Sequence, residues 1–442
     1  SLLNPAYTSD CKYFGIPALS SLYINFSNTA FSYNDLFPPG TTPRTVDFDF
    51  LNTRLHNLDL VSFQFHTNLI SVGAWFKDYY FNFNIIEKVD LSVQFPNELF
   101  NVFWEGNTQY VGEEVSINRM GTNFNHYREY SLSASTRINE YLRMGLRPKL
   151  LFGKLNVNTR KEELSIFTDP EKYDLDINAS YLINASLPID VSENADGNSV
   201  SVSARDINPV QLLLNRKNFG FALDWGGIYN YTDKIDLYAS IIDLGFIRWA
   251  SNPNNVEIDQ EFQFRGLTES DLQSDNYIAG MIDSISNSWD METSEENYYT
   301  YLPLKVYAGV TYDFTENMNI GLLNRNMVYK GRIFPSFTAS YNTFLFEFLS
   351  LSVSYSYNQY SFKNLGLGLA FQNRSMQFYI ATDNVLAVKP LSVRNVNLRF
   401  GWNIFFNCRE RSQVRGDGGK RSNANCFWIN RRMQQNSLKP KK

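Results

Sequence analysis

Hydrophobic and polar residues alternate along much of this chain with a period of two, the mark of β-strands whose faces meet different surroundings. Leu349, Leu351, Val353, Tyr355 and Tyr357 share one face, and Ser350, Ser352, Ser354, Ser356 and Asn358 the other. Val396, Leu398, Phe400, Trp402 and Ile404 stand opposite Asn397, Arg399, Gly401 and Asn403. Leu365, Leu367, Leu369 and Phe371 oppose Gly366, Gly368, Ala370 and Gln372. Phe219, Phe221, Leu223 and Trp225 oppose Gly220, Ala222, Asp224 and Gly226. Leu302, Leu304, Val306, Ala308 and Val310 oppose Lys305, Tyr307, Gly309 and Thr311.

A soluble sandwich alternates too. These runs are long, though, at about 9–11 residues or more, which is enough to cross a bilayer when tilted. Their apolar rows end in aromatics, as at Tyr355, Tyr357 and Trp402. Arg399 and Asp224 fall on the opposite rows, where a watery lumen tolerates charge; on the lipid face near the midplane an Arg costs about 2–4 kcal/mol. Short turns at Lys77-Asp78, Asn139-Glu140, Thr232–Lys234, Thr315–Asn317 and Asn373-Arg374 alternate with longer polar stretches such as 159–172, 251–258 and 383–392. The pattern predicts an all-β fold, a transmembrane antiparallel β-barrel of about 14 strands.

Four segments depart from it. Pro96–Trp104 places Leu99, Phe100, Phe103 and Trp104 at helical spacing, and Asn208–Asn215 opens a helix at Pro209. In 269–296, Ile278, Met281, Ile282, Ile285 and Trp289 form a helical stripe beside eight acids and no Lys or Arg. This reads as an acidic amphipathic helix in a large connection, whose stripe Ile278, Ile282, Ile285 and Trp289 is the candidate partner-binding surface. Residues 1–58 are rich in Pro, Asn, Ser and aromatics and read as an N-terminal segment that plugs the lumen or lines the periplasmic mouth, with Asn4 and Pro5 as luminal anchors. The barrel is then expected over 59–406, and a basic tail over 407–442.

Composition agrees. Aromatics are 16% and charged residues 19%, against about 25% charged in an average soluble domain. Mean hydropathy is nevertheless −0.32, as one lipid-facing and one polar row per strand would give. No run of apolar residues is long enough for a transmembrane helix. The chain opens on Ser1-Leu2-Leu3-Asn4-Pro5 without a basic start or apolar core, which reads as a processed or trimmed N-terminus. The net charge of −5 is uneven: Arg409–Lys442 holds ten Lys or Arg against Glu410 and Asp417, so the body is acidic. Cys11, Cys408 and Cys426 form no disulfide framework and have no zinc spacing. Cys408 and Cys426 either pair in an oxidising periplasm or stay free.

The opening Leu3-Asn4-Pro5-Ala6-Tyr7, then Leu19–Phe26, His126-Tyr127-Arg128-Glu129-Tyr130, Leu151-Phe152-Gly153-Lys154, Asp243–Trp249 and Leu398-Arg399-Phe400-Gly401 resemble a group of Bacteroidota outer-membrane proteins of unassigned function. The resemblance runs from about Leu2 to Phe406. It is broadly similar to the PorP/SprF and PorV barrels of the type IX secretion system, and through them to the FadL fatty-acid transporters. It implies a 14-stranded barrel with an N-terminal segment inside, in the bacterial outer membrane. The basic extension after Cys408 goes beyond the pattern.

Catalytic chemistry finds little support. His56, His66 and His126 are the only histidines, and no Gly-x-Ser-x-Gly is present. No calcium loop, phosphate loop or dinucleotide fingerprint occurs, so no cofactor and no metal is expected, and the acidic body speaks against nucleic acid. The expected partners are the lipid bilayer and a protein of the outer membrane: a secretion channel, surface protein or lipoprotein. Two readings follow. One is a non-enzymatic accessory or scaffold subunit of a type IX secretion or surface-protein assembly. The other is a FadL-like transporter of a small apolar molecule, for which Gly and Ser on the inward rows would leave a path.

Overall fold

The computed structural model describes residues 2–37, 46–102, 106–193, 200–204, 208–264, 291–315, 317–346, 348–358, 361–373, 375–388 and 393–407. In chain order the strands are β1 (Lys12–Gly15), β2 (Leu22–Asn28), β3 (Asp59–Phe76), β4 (Tyr79–Phe95), β5 (Glu114–Ser116), β6 (Gly121–Arg137), β7 (Leu142–Thr168), β8 (Leu175–Ser186), β9 (Ile189–Glu193), β10 (Val200–Ala204) and β11 (Asn218–Asn230). There follow β12 (Ile235–Trp249), β13 (Pro253–Phe264), β14 (Glu292–Ser294), β15 (Tyr298–Tyr301), β16 (Leu304–Thr315), β17 (Met318–Tyr329), β18 (Arg332–Phe346), β19 (Leu349–Asn358), β20 (Ser361–Gln372), β21 (Met376–Thr382) and β22 (Asn395–Phe406). Short helices α1 (Tyr33–Leu36), α2 (Phe48–Asn52), α3 (Asn97–Phe100) and α4 (Pro209–Leu214) sit in connections.

The wall is a closed antiparallel barrel of 14 strands. It runs from β1 and β2, which share one position, through β3, β4, β6, β7, β11, β12 and β16 to β22. β22 closes it, pairing Phe406 with Lys12 and Phe400 with Leu22. The boundary expected at 58/59 is therefore wrong. Lys12–Asn28 is wall, hydrogen-bonded to β3 as well as β22, and the residues before it contact the inner wall. Pro17, which has no N–H, interrupts this strand. Ala18 next to it stands at φ 60°. The alternation is present all the same: Leu22, Ile24 and Phe26 point out, and Tyr23, Asn25 and Ser27 in.

The connections β3–β4, β6–β7, β11–β12, β16–β17 and β20–β21 lie at one rim, the short-turn rim. At the other rim β7 outruns the barrel. Its 27 residues span roughly 90 Å at about 3.3 Å each. The first half pairs with β11 and the second with β8. β8 continues the sheet to β13 and β14, and β5 flanks β7. The stretches 159–172 and 251–258, expected as loops, are largely this sheet, because hydrogen bonding to β8 makes strands of polar residues. α4 forms as expected, with the Asn208 side chain capping the amides of Val210 and Gln211 and Pro209 in the first turn. α3 and the helical turn that continues it cover 97–102, and Phe103 and Trp104 lie outside the described residues. Of the acidic segment 269–296, the described end is β-strand at Glu292–Ser294. The helix cannot extend that far, because those residues pair with β13.

The expected faces hold. Phe221 is 40% exposed and Asp224, three residues on, is 0% exposed. Phe219, Trp225, Tyr355, Trp402 and Ile404 also point outward. Such a continuous apolar surface has no place in water; it is the lipid-facing band of a membrane barrel. Leu302 departs from its expected row. It precedes Pro303, outside β16, and is buried inside.

A layered lumen as candidate functional site

Four layers of contacts cross the lumen. The first, at the short-turn rim, is the N-terminal segment. Asn4 Nδ2 donates to the carbonyls of Gly227 (3.1 Å) and Ala239 (3.2 Å), while its Oδ1 accepts from Ala6 N (2.9 Å). Pro5 lies on β7: a side chain at Gly145 would collide with the Pro5 backbone, and one at Gly226 with Asn4. Leu3 O accepts from Ser240 Oγ (2.7 Å) and Ser9 O from Trp75 Nε1 (2.6 Å). Arg143 donates to Thr8 Oγ1 at 3.1 Å. Ala6 packs with Ile228 and Tyr238, and Tyr7 and Leu323 pack against this group. Cys11 is disulfide-bonded. Cys408 and Cys426 lie outside the described residues.

The second layer is electrostatic. Lys88 on β4, Glu129 on β6, Arg147 and Lys149 on β7, Asp224 on β11, Asp243 on β12 and Lys305 on β16 connect six neighbouring wall strands. Arg147 meets Asp224 at 2.6 Å, and Lys149 meets Asp224 at 2.8 Å and Asp243 at 2.6 Å. Lys88 bonds Glu129 at 2.7 Å, and Lys305 bonds Asp243 at 2.7 Å. Arg147 also donates to Leu2 O at 2.7 Å, tying this layer to the first. The register shift between β11 and β12 positions Asp243. Its backbone stands at φ 63°, and its amide donates to Asp224 Oδ1 at 2.7 Å. A left-handed conformation off glycine is strained, and the surrounding bonds hold it in place. The polar belt continues the other way round the wall: Asp90 bonds His66 (2.8 Å), and the Arg399 guanidinium lies 4.6 Å from the centre of the Tyr23 ring.

Above this is an apolar layer of Tyr127, Leu151, Ala222, Ile247, Trp249, Tyr298 and Leu302. Trp249 lies against Gly153, where any side chain would strike its ring. Its Nε1 donates to Thr300 Oγ1 (2.8 Å), and Tyr298 donates to Asn156 Oδ1 (2.8 Å). The fourth layer is the tip of the β17–β18 hairpin. Tyr329 reaches across the lumen to the neighbourhood of Ser92 and Asn123. Lys330 donates to Thr159 O (2.8 Å) and pairs with Glu162, which also accepts from Gln94 (2.7 Å).

Sequence reading put Asn4 and Pro5 among the luminal residues, and the structure buries Asn4 against the inner wall. Ile278, Ile282, Ile285 and Trp289 lie outside the described residues, as does the basic tail. Sequence reading missed the charged layer, although its signal was visible: Asp224 and Lys305 were on inward rows. A watery lumen was expected around Asp224 and Arg399, whereas the structure pairs and buries most of the layer. His66 and His126 bond the carboxylates of Asp90 and Glu87, and His56 bonds Asp59.

A model of a family of unknown function matches residues 5–383, most of the chain. The chain belongs to that family, DUF5723. No curated protein matches it. Among solved structures it is similar to the Pseudomonas putida toluene transporter TodX at 9% identity, over 91% of this chain and 90% of that one, with a TM-score of 0.36. The Ralstonia pickettii toluene transporter TbuX matches at 9% identity over 91% and 92%, with a TM-score of 0.41. A Pseudomonas aeruginosa FadL homologue matches at 11% over 92% and 93%, with a TM-score of 0.39. Likeness this low carries nothing about cargo or mechanism to the DUF5723 chain, whose barrel rests on its own strand pairing.

Proposed function

We propose that this DUF5723 protein is a non-enzymatic barrel of the bacterial outer membrane, closed to solutes, that serves as an accessory or scaffold subunit for secretion or assembly of surface proteins. The short-turn rim with the N-terminal segment then faces the periplasm and the β7–β8–β13 sheet faces outward. The observation that carries this reading is the charged layer. A solute moving along the axis has to part ion pairs such as Arg147–Asp224 and Lys149–Asp243, whose members are nearly all buried. Separating one member of such a pair costs about 3–5 kcal/mol, and a small apolar cargo offers nothing in exchange. Type IX secretion and a Bacteroidota source rest on the sequence resemblance. No catalytic role is assigned to the histidines, which bond carboxylates.

The test is to purify the tagged protein from gently solubilised outer membranes and identify what accompanies it. A secretion channel, surface protein or lipoprotein in stoichiometric amount supports the scaffold, and its loss in Ile282→Asp, with the barrel folded, would assign the contact to the stripe at 278–289. A barrel that comes down alone counts against the scaffold. The second reading, transport of a small apolar molecule, draws on the inward rows of β19 and β20, where Ser350, Ser352, Ser356 and Asn364 are small and polar. Uptake lost in a deletion strain, with no partner found, would favour it.

A further inference from the structure

Period two sends alternate residues of β6 to opposite sides: Tyr127 and Glu129 go to the lumen, and His126 and Arg128 to the outside. There, Glu87 Oε2 accepts from Arg128 Nε (2.6 Å), and Glu87 Oε1 meets His126 Nε2 (2.7 Å). Charge on an outward row is costly at the midplane, so its height matters. Glu87 stands nine residues beyond the Lys77-Asp78 turn. At about 3.3 Å per residue and about 40° of tilt that is roughly 23 Å, near the far edge of an apolar band about 25 Å tall. An aromatic row sits beside it, with Phe152 5.5 Å from Tyr130 and 5.9 Å from Phe219. Aromatics of this kind mark the interface.

Cations gather at this level. Arg248 is the outward neighbour of Phe219 in the β11–β12 register and is exposed. Lys154 occupies the β7 bulge, buried, within electrostatic reach of Arg128, Glu87 and Arg216. Its Nζ donates to Asn215 O at 2.6 Å, the carbonyl that follows α4. α4 exposes Val210, Leu213 and Leu214, as a short helix resting in the outer edge of a lipid leaflet would. Arg216 and Lys217 follow it, exposed. Among the described residues Lys154, Arg216, Lys217 and Arg248 have no ion pair within 4 Å, and Glu87, which bonds Arg128, is the one acid that also acts on Lys154.

We propose that Arg128, Lys154, Arg216 and Arg248, with α4 beside them, form a site on the outer rim for the phosphate of an outer-leaflet lipid headgroup. Guanidinium groups match phosphate oxygens in pairs, and the exposed apolar side chains of α4 lie where acyl chains begin. The site rests on the outer-membrane placement and is independent of the scaffold role.

The full chain is reconstituted into phosphatidylcholine nanodiscs doped with phosphorylated or with dephosphorylated lipid A, and retained lipid A is measured by native mass spectrometry. The wild type should prefer the phosphorylated form. Arg216→Gln with Arg248→Gln should reduce that preference roughly tenfold or more, the weight of at least one charge-assisted contact. Lys154→Gln, in a separate chain, should reduce it too. Heat-modifiable gel mobility checks that each variant is folded. Equal retention of both lipids, or an unchanged preference in both variants, overturns the site. Displacement by millimolar inorganic phosphate also overturns it, reducing it to a general anion site. Failure of the chain to enter nanodiscs overturns the membrane placement and the site with it, whereas loss of a protein partner touches neither.

Discussion

Asp243 is the residue through which the charged layer is most open to test. It accepts from Lys149 at 2.6 Å and from Lys305 at 2.7 Å, and Lys88 lies 3.8 Å away. Asp243→Asn removes one charge and little else. Asn keeps the size, tolerates the left-handed backbone, and leaves the amide bond to Asp224 intact. The layer then holds four cations, Lys88, Arg147, Lys149 and Lys305, against Glu129 and Asp224. Lys149 retains Asp224 at 2.8 Å, but Lys305 loses the acid it bonds. Breaking one side of a buried pair costs about 3–5 kcal/mol. Lys305 keeps 22% exposure, so the lower end, about 3 kcal/mol, is expected. The assay is urea unfolding of the detergent-folded barrel, read from heat-modifiable gel mobility. Asp243→Asn should lower the midpoint clearly, and adding Lys305→Met should recover part of the loss, with a coupling of about 1 kcal/mol or more. A single variant unfolding at the wild-type midpoint would refute the reasoning, as would a double variant no better than the single.

Three further outcomes follow from the other layers. Gly153→Val should destabilise the barrel by about 1–3 kcal/mol through collision with the Trp249 ring, and Trp249→Leu should relieve it; an unchanged urea midpoint would contradict that packing. Glu162→Ala should release the β17–β18 tip, so that trypsin cuts after Lys330 roughly tenfold faster, as expected for the loss of one charged hydrogen bond; an unaltered rate would mean the tip is not held there. On a non-reducing digest the Cys11 peptide should be linked to the peptide carrying Cys408 or Cys426, and a crosslink between those two instead would contradict the pairing.

Much of the wall was legible because the period of two is a direct consequence of a pleated strand between two unlike media. Phe219–Gly226 and Leu349–Asn358 declare both faces without any tertiary information. Lys12–Asn28 alternates as well, yet Pro17 and the long gap to β3 disguised it as part of a plug. The outer half of β7 was hidden for the opposite reason: its polar residues carry no lipid-facing row, and only pairing with β8 makes it a strand. Charge on inward rows was readable, but the rows do not say which strands face one another. That Lys88, Lys149 and Asp243 meet depends on barrel register and on the bulge at Asp243, neither of which leaves a local mark. Gly153 and Gly226 have a plain reason only once Trp249 and Asn4 are seen to occupy the space a side chain would need.

The most direct test of a closed lumen is single-channel conductance in planar bilayers, comparing the intact chain with one whose charged layer and N-terminal contacts are weakened together, by Arg147→Gln, Asp243→Asn and Asn4→Ala. The intact protein should pass no steady ion current, and the altered one should show discrete openings. A steady open conductance from the intact chain would contradict the closed barrel and return the transporter reading to first place.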